Sequence, residues 1–253
     1  MRPFPIILAA TDATARPVDN PDPVTKRASG YSQVTVRVVA AVVMIPPVLA
    51  CVYFGSPVFD IFVAVLVALM AWEWRRLVYN GERGRRRFYW LAFGVFYITL
   101  PALALLWLRA DGTAGRNTIF WLFALVWAAD SGAYVAGRLI GGPKLAPGIS
   151  PNKTWAGLAG CVASAALVGV VVAYLAKSGD YVMLAALSAV IGLVSQGGDL
   201  VESALKRHFG VKDSGSLIPG HGGVLDRVDA LLAAILFTAL IKFAYGGSIV
   251  RWS

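Results

Sequence analysis

Four side chains late in the sequence, Asp199, Glu202, Ser203 and Lys206, are spaced i, i+3, i+4 and i+7. In an α-helix that spacing stacks all four on one face. The residues before them are apolar as far as Val194 and turn polar at Ser195-Gln196-Gly197-Gly198. A wall of carboxylates therefore begins near the end of an apolar helix. A solvated helix end with a Glu202–Lys206 pair has the same spacing, so the flanking residues must separate the two readings. A loop of turn formers follows, Gly210 to Gly223, with Lys212-Asp213 and then Pro219-Gly220-His221-Gly222-Gly223. Glycine lets backbone N–H groups approach a phosphate closely and form an anion-binding nest. Asp226-Arg227-Val228-Asp229 then opens the next apolar stretch, where acids also suit the helix dipole. An acidic face, a basic glycine loop and an acidic helix start together suit Mg²⁺, a hard cation commonly shared between carboxylates and substrate phosphates.

Two further groups belong to the same chemistry. In Ser150-Pro151-Asn152-Lys153-Thr154-Trp155, Thr154 is placed to cap a helix. Lys153 beside the free N–H groups of that helix start makes an anion site, although an ordinary cap with an interfacial Trp fits the same residues. In Trp127 to Arg138, Asp130 and Tyr134 share a helical face, and Gly132, Ala133, Ala136 and Gly137 permit close helix packing. Asp130 lies deep in an apolar stretch, where a lone carboxylate costs several kcal/mol or more unless paired. His221, between glycines, is read for its backbone rather than as a general base.

The elements that must position these groups are membrane helices. Of 253 residues 58% are hydrophobic and only 15% charged, with a mean hydropathy of +0.67, whereas soluble domains carry about a quarter charged residues. Spanning helices need ~20 apolar residues, and the sequence predicts an all-α polytopic protein of about seven, over 34–54, 57–74, 89–108, 118–140, 155–176, 180–203 and 228–246. Pro46-Pro47 and Pro101 predict kinks or breaks in the first and third. Trp72, Trp74, Trp90 and Trp155 fall near segment ends, as an interfacial belt requires. Residues 1–33 read as a flexible cytoplasmic tail, 34–116 as N-terminal spans and 117–253 as the catalytic region. The run from Phe4 to Ala10 meets only part of the signal-peptide pattern.

Charge sets the orientation. The net charge is +9, without the basic-aromatic modules of a nucleic-acid binder. With seven helices, 18 of the 23 lysines and arginines fall on one side, in the N-terminal stretch and the loops 75–88, 138–154 and 206–227. The positive-inside rule makes that side, and the polar site with it, cytoplasmic. Cys51 and Cys161 lie in apolar stretches without metal-type spacing and read as packing residues.

These residues resemble the phosphatidate cytidylyltransferase (CDP-diacylglycerol synthase) family. The resemblance rests on Ser203, Lys206-Arg207, Lys212-Asp213, Pro219-Gly220-His221-Gly222-Gly223 and Asp226-Arg227-Val228-Asp229, preceded by Gly198 to Glu202. It extends to Asp130 to Tyr134, Gly137-Arg138 and Ser150 to Trp155, is strong from about 125 to 232, and covers roughly 34–246. Two departures stand out. The family often carries a Glu after Thr-Trp where Ala156 stands here, and family members commonly have further helices before the third span.

The resemblance implies transfer of the cytidylyl group of CTP to phosphatidate, giving CDP-diacylglycerol and pyrophosphate, in a bacterial-type plasma (inner) membrane, by a homodimer. Mg²⁺, alone or with a second cation, would be held by Asp199 and Asp226. Lys206, Lys212, Asp226, Arg227 and Asp229 would do the catalytic work. Asp130, Ser150, Asn152, Lys153, Thr154, Ser203, Arg207, Gly220, His221, Gly222 and Gly223 would bind substrates. Two rivals are a related CTP-using lipid enzyme, such as a polyprenol kinase or an archaeal-type lipid cytidylyltransferase, and an ion-coupled transporter with intramembrane carboxylates.

Overall fold

Seven helices and one small hairpin make up the described part of the chain, residues 42–215, 217 and 222–247 of a computed structural model. The 1–33 tail, the start of the first predicted span, Gly220 and His221 lie outside the described residues. The helices are α1 (Val42–Phe54), α2 (Val58–Gly81), α3 (Gly84–Arg109), α4 (Gly112–Leu139), α5 (Trp155–Leu175), α6 (Tyr181–His208) and α7 (Leu225–Tyr245). Between α4 and α5 stands an antiparallel pair, β1 (Lys144–Ala146) and β2 (Ser150–Thr154), with Lys144 opposite Thr154. The sequence reading had only a loop there.

Five helices, α3 to α7, are long and apolar enough to cross a membrane. The described part of α1 is shorter, and α2 carries Asp60, Glu73, Arg75 and Arg76. The helices run further than the hydropathy suggested. The predicted 75–88 loop is a two-residue link, Glu82-Arg83, and Arg75, Arg76, Arg85, Arg86 and Arg87 lie on the ends of α2 and α3. The chain stays helical through Pro46, Pro47 and Pro101. Each proline removes one i→i−4 hydrogen bond, and in a bundle the neighbouring helices tolerate the loss.

Small residues hold the bundle together, as they must where lipid supplies no hydrophobic drive between helices. Between α4 and α5, a Cβ on Gly160 would sit 2.5 Å from the Gly132 carbonyl, and one on Gly157 2.9 Å from the Ala133 carbonyl. Gly169 of α5 packs against the Leu184 carbonyl and Ser188 of α6 in the same way. Trp121 of α4 donates its indole N–H to Ser188 Oγ at 3.2 Å. The large apolar side chains left exposed, among them Leu139, Leu167, Val182 and Phe243, point outward from the bundle.

A second cluster joins α2, α3 and the end of α6. Trp74 is buried rather than interfacial, because α2 continues two turns beyond it. Its indole N–H donates to the Trp90 carbonyl at 2.8 Å, and Gly94 leaves the space its ring fills. Phe209 packs edge-on against Trp74, and His208, the last residue of α6, lies 2.8 Å from Glu82 and stacks near Trp90. The Glu82-Arg83 link, the hairpin and the described ends of the connection from α6 to α7 therefore gather at one end of the bundle. Arg109, bonded to the Val52 carbonyl at 2.9 Å, and the Lys242–Asp111 pair mark the other end.

This alternation predicts sidedness. In a chain with Cys51 and Cys161 replaced by Ala, cysteine at Arg86 or Leu217 should react with an impermeant thiol reagent only after the cells are opened. Cysteine at Thr113 should react in intact cells. Labelling of position 86 or 217 in intact cells would reverse the orientation.

Candidate active site

The polar end of the bundle encloses a cavity of about 770 Å³, within the range of small-molecule sites. Asp130, Tyr134 and Arg138 of α4 line one wall, Asn152, Lys153 and Thr154 of β2 another, Gln196, Asp199 and Lys206 of α6 a third, and Asp226, Arg227 and Asp229 of α7 the fourth. Sequence positions about a hundred residues apart thus converge because α4, α5, α6 and α7 pack in order around it.

Each wall is wired to the next. Thr154 accepts the Gly157 N–H at 3.0 Å, the predicted cap. That fixes the start of α5 and sends Lys153 across to α6, where its ammonium lies 2.6 Å from Asp199 Oδ2 and 2.9 Å from Gln196 Oε1. Gln196 donates through Nε2 to Asp130 at 2.9 Å, and Ser203 donates to Asp199 at 3.3 Å. A chain of contacts, Asp130–Gln196–Lys153–Asp199–Ser203, joins α4, β2 and α6. Asp130 is open to the cavity rather than sealed in the core.

The start of α7 is wired more heavily. Asp226 Oδ1 accepts Lys206 Nζ at 2.7 Å. Its Oδ2 accepts the backbone N–H groups of Ser214 and Gly223 at 2.8 Å each, and the Ser214 hydroxyl at 2.9 Å. Four donors thus converge on one carboxylate, three of them on Oδ2, while Oδ1 takes Lys206 alone. Gly222 turns with φ +84°, and a Cβ there would meet Asp226 Oδ2 at 2.8 Å, so a left-handed residue without a side chain is needed. The loop is folded onto the carboxylate by its own backbone.

Not every predicted residue reaches the cavity. Arg207 is spent on the Val211 carbonyl at 3.0 Å, and Lys212 is exposed outside the cavity lining, whereas Asp213 beside it lines the wall. Ser150, Ser203, Gly222 and Gly223 are outside the lining, although Ser203 and Gly223 donate to Asp199 and Asp226, which belong to it. Ala156, on the first turn of α5, is half-buried outside the lining. Three contributors were not assigned a role from the sequence: Gln196, whose amide links three walls, Ser214, and Glu73 of α2. Glu73 is wholly buried and accepts the Val224 and Leu225 N–H groups at 2.9 Å each. Gln196 could have been found, since it lies one turn before Asp199 near the same face. Glu73 could not, being more than 140 residues from its partners.

Glu202 is the conspicuous exception. It is 4% exposed, and neither of its oxygens has a hydrogen-bond partner among the described residues. Its nearest cation is Lys206 at 3.6 Å, already engaged by Asp226. A buried carboxylate left so is costly. Five aspartates line the cavity, Asp130, Asp199, Asp213, Asp226 and Asp229, against Arg138, Lys153, Lys206 and Arg227. Among the described residues no three Asp, Glu, His or Cys side chains are grouped closely enough to hold a metal by themselves. The all-oxygen donors and the orphaned Glu202 fit a hard divalent cation completed by water and phosphate, as Mg²⁺ usually is, and not a closed protein cage.

A family model described as the cytidylyltransferase family matches residues 35–111 and 88–244. This chain belongs to the cytidylyltransferase family. The chain is similar to a phosphatidate cytidylyltransferase of Rickettsia conorii, 33% identical over 218 residues, which cover 83% of this chain and 92% of that protein. It is also similar to one of Brucella suis biovar 1, 53% identical over 145 residues, or 57% of this chain and 54% of that protein. One of Staphylococcus haemolyticus is 40% identical over 152 residues, 60% of this chain and 58% of the relative. The chain spans about half the length of the Brucella relative that it matches.

For this cytidylyltransferase-family chain the loop packing yields a stability prediction. A Cβ on Gly223 would lie 2.2 Å from Ser214 Oγ and 2.7 Å from the Glu73 carboxylate. Gly223→Ala should cost about 1–3 kcal/mol, as overpacking of a filled site does, whereas Gly148→Ala, with nothing within 4 Å, should leave the thermal midpoint in detergent unchanged. Equal midpoints for the two variants would mean that the loop is not packed as described.

Proposed function

We propose that this chain transfers the cytidylyl group of CTP to phosphatidate at the cytoplasmic face of a bacterial-type inner membrane, releasing pyrophosphate and CDP-diacylglycerol. The observation that carries the reading is the Lys206–Asp226 pair at 2.7 Å. It locks a glycine loop and a cation together at the rim of an apolar bundle, inside a cavity whose relatives are named phosphatidate cytidylyltransferases.

The phosphatidate phosphate is ionised at neutral pH, so the nucleophilic oxygen needs no general base. It attacks the α-phosphorus of CTP, the new P–O bond forms, and the bond to the β,γ-pyrophosphate breaks. The obstacle is repulsion between two anions in a cavity already rich in carboxylates. Lys153, Lys206 and Arg227, with Arg138 at the rim, are the groups here that orient phosphates and take up the charge developing on pyrophosphate. Gly222 and Gly223 act indirectly in this reading, letting the loop close on Asp226 so that its carboxylate and Lys206 are held at the cavity. Mg²⁺, held by Asp199 and Asp226 with Asp229 and Glu202 in support, would offset the remaining charge between nucleotide and lipid. Asp226 would serve as ligand through Oδ1, which accepts only Lys206, and the Asp229 carboxylate accepts only its neighbour's N–H, from Ala230 at 2.8 Å.

The purified protein, given phosphatidate, Mg²⁺ and α-labelled CTP, should yield lipid-extractable label with equimolar pyrophosphate. Label transferred instead from the γ-position would mark a lipid kinase, and metal-independent flux without pyrophosphate a transporter. Asp199→Asn should abolish turnover in a folded protein. Lys206→Met should lower turnover about a hundredfold, the effect of losing a transition-state charge worth ~3 kcal/mol. Arg85 and Arg86, at the exposed start of α3, contact neither cavity nor loop, and their joint replacement by Gln should change turnover only a few-fold. Equal losses from the Arg pair and Lys206→Met would show that the site is not confined to this cavity.

A further inference from the structure

Glu73 sits on α2, before the region that carries the family motifs, and nothing about its neighbours in sequence marks it. It is 0% exposed, and no lysine or arginine pairs with it among the described residues. Its two oxygens are instead divided between the N–H groups of Val224 and Leu225, one each at 2.9 Å. Leu225 is the first residue of α7, so these are donors that a helix start leaves without internal partners, at its positive end. The glycines of the loop are pressed onto the same carboxylate, since a Cβ on Gly215 or on Gly223 would lie 2.7 Å from it. The Ser214 hydroxyl stands between Glu73, at 3.5 Å, and Asp226, at 2.9 Å.

We propose that Glu73 is the positioning residue of this site: it pins both ends of the 214–224 loop to α2 and thereby sets where Asp226, and through it Lys206, meets the nucleotide phosphates. The inference rests on the reading of this loop as what holds Asp226 and Lys206 at the nucleotide site. Glu73 touches no substrate in this scheme. Its effect passes through backbone, because Leu225 precedes Asp226 and Gly223 donates to it. Glutamine at this position keeps the size but offers one acceptor oxygen and turns an NH₂ toward an N–H, so either Val224 or Leu225 loses its acceptor and the junction of the loop with α7 loosens.

The test is Glu73→Gln in the full-length protein in detergent, read by amide exchange and by kinetics. Exchange of the peptide covering 213–225 should quicken at least tenfold, with α4 and α5 unchanged. The KM for CTP should rise about tenfold and kcat fall, with the KM for phosphatidate in mixed micelles within about twofold. Gly215→Ala, which presses on the same carboxylate from the loop side, should reproduce the pattern and serves if the first variant is not recovered folded. Wild-type exchange at 213–225 in the recovered variant, or uniform acceleration along the whole chain, would overturn the assignment, as would equal rises in both KM values. A wild-type protein inert toward CTP would sink the activity but not the anchoring, which the exchange measurement decides without turnover.

Discussion

A carboxylate at the mouth of a membrane helix has to be satisfied, and Asp226 is the point where this fold meets that demand. One oxygen takes the ammonium of Lys206 and the other takes three donors from the loop before it. Because Ser214 and Gly223 are both bonded to the carboxylate, the two ends of the loop are brought together beside it. Because Lys206 is bonded to it, α6 and α7 are tied at the end where they would otherwise splay. Hydrogen bonds to an ionised acceptor are roughly twice as strong as neutral ones, so this knot contributes to the fold and the site together.

The opposite wall uses a looser version of the same device. Lys153 reaches from β2 to Asp199 and Gln196 on α6, and Gln196 hands the connection on to Asp130 of α4. The Lys153 ammonium gives its three donors to Asp199 Oδ2, Gln196 Oε1 and the Gln196 carbonyl, and all of these residues border the cavity. The two walls therefore differ in kind. The α7 wall is held at Asp226 largely by backbone N–H groups of the loop, whereas the α4–β2–α6 wall is joined through side chains. Glu202, buried and without a hydrogen bond among the described residues, lies outside the cavity lining, with Lys206 3.6 Å away.

What was legible in the sequence followed the range of the interactions. Asp199, Glu202, Ser203 and Lys206 share a face by helical period alone, and Thr154 as a cap depends on a residue three positions away, so both were readable. Five of the seven predicted spans are helices long and apolar enough to cross a membrane, legible from a run of apolar residues within each segment. The extents of α2 and α3 were not legible, since their arginines lowered the hydropathy that marks a span although the backbone stays helical to Gly81 and restarts at Gly84. Trp74 was mistaken for an interfacial residue because the extra two turns of α2 carry it inward. The β1–β2 pair is only 3 and 5 residues long, too short for alternation to signal. Lys212 and Arg207 fit the family motif in sequence, yet one is exposed outside the cavity and the other is bound to its own chain.

The site's register comes from apolar packing as much as from charge. Gly198 immediately precedes Asp199, and a Cβ on it would meet Ala233 at 2.6 Å and the Asp229 carbonyl at 3.0 Å. Close approach at that one position is what lets Asp199 and Asp229 line the same cavity from adjacent helices. On the other side Gly157, three residues after Thr154, lies against the Ala133 carbonyl and near Gly137. That contact brings Asp130 and Arg138 of α4 to the same cavity as Lys153. A larger residue at either glycine would widen the gap between helices by some part of a side chain, and ion pairs of 2.6–2.7 Å do not survive such a shift. In a bilayer, where small residues are what bring helices together, the same glycines that assemble this bundle also set the distances across which its charged groups act.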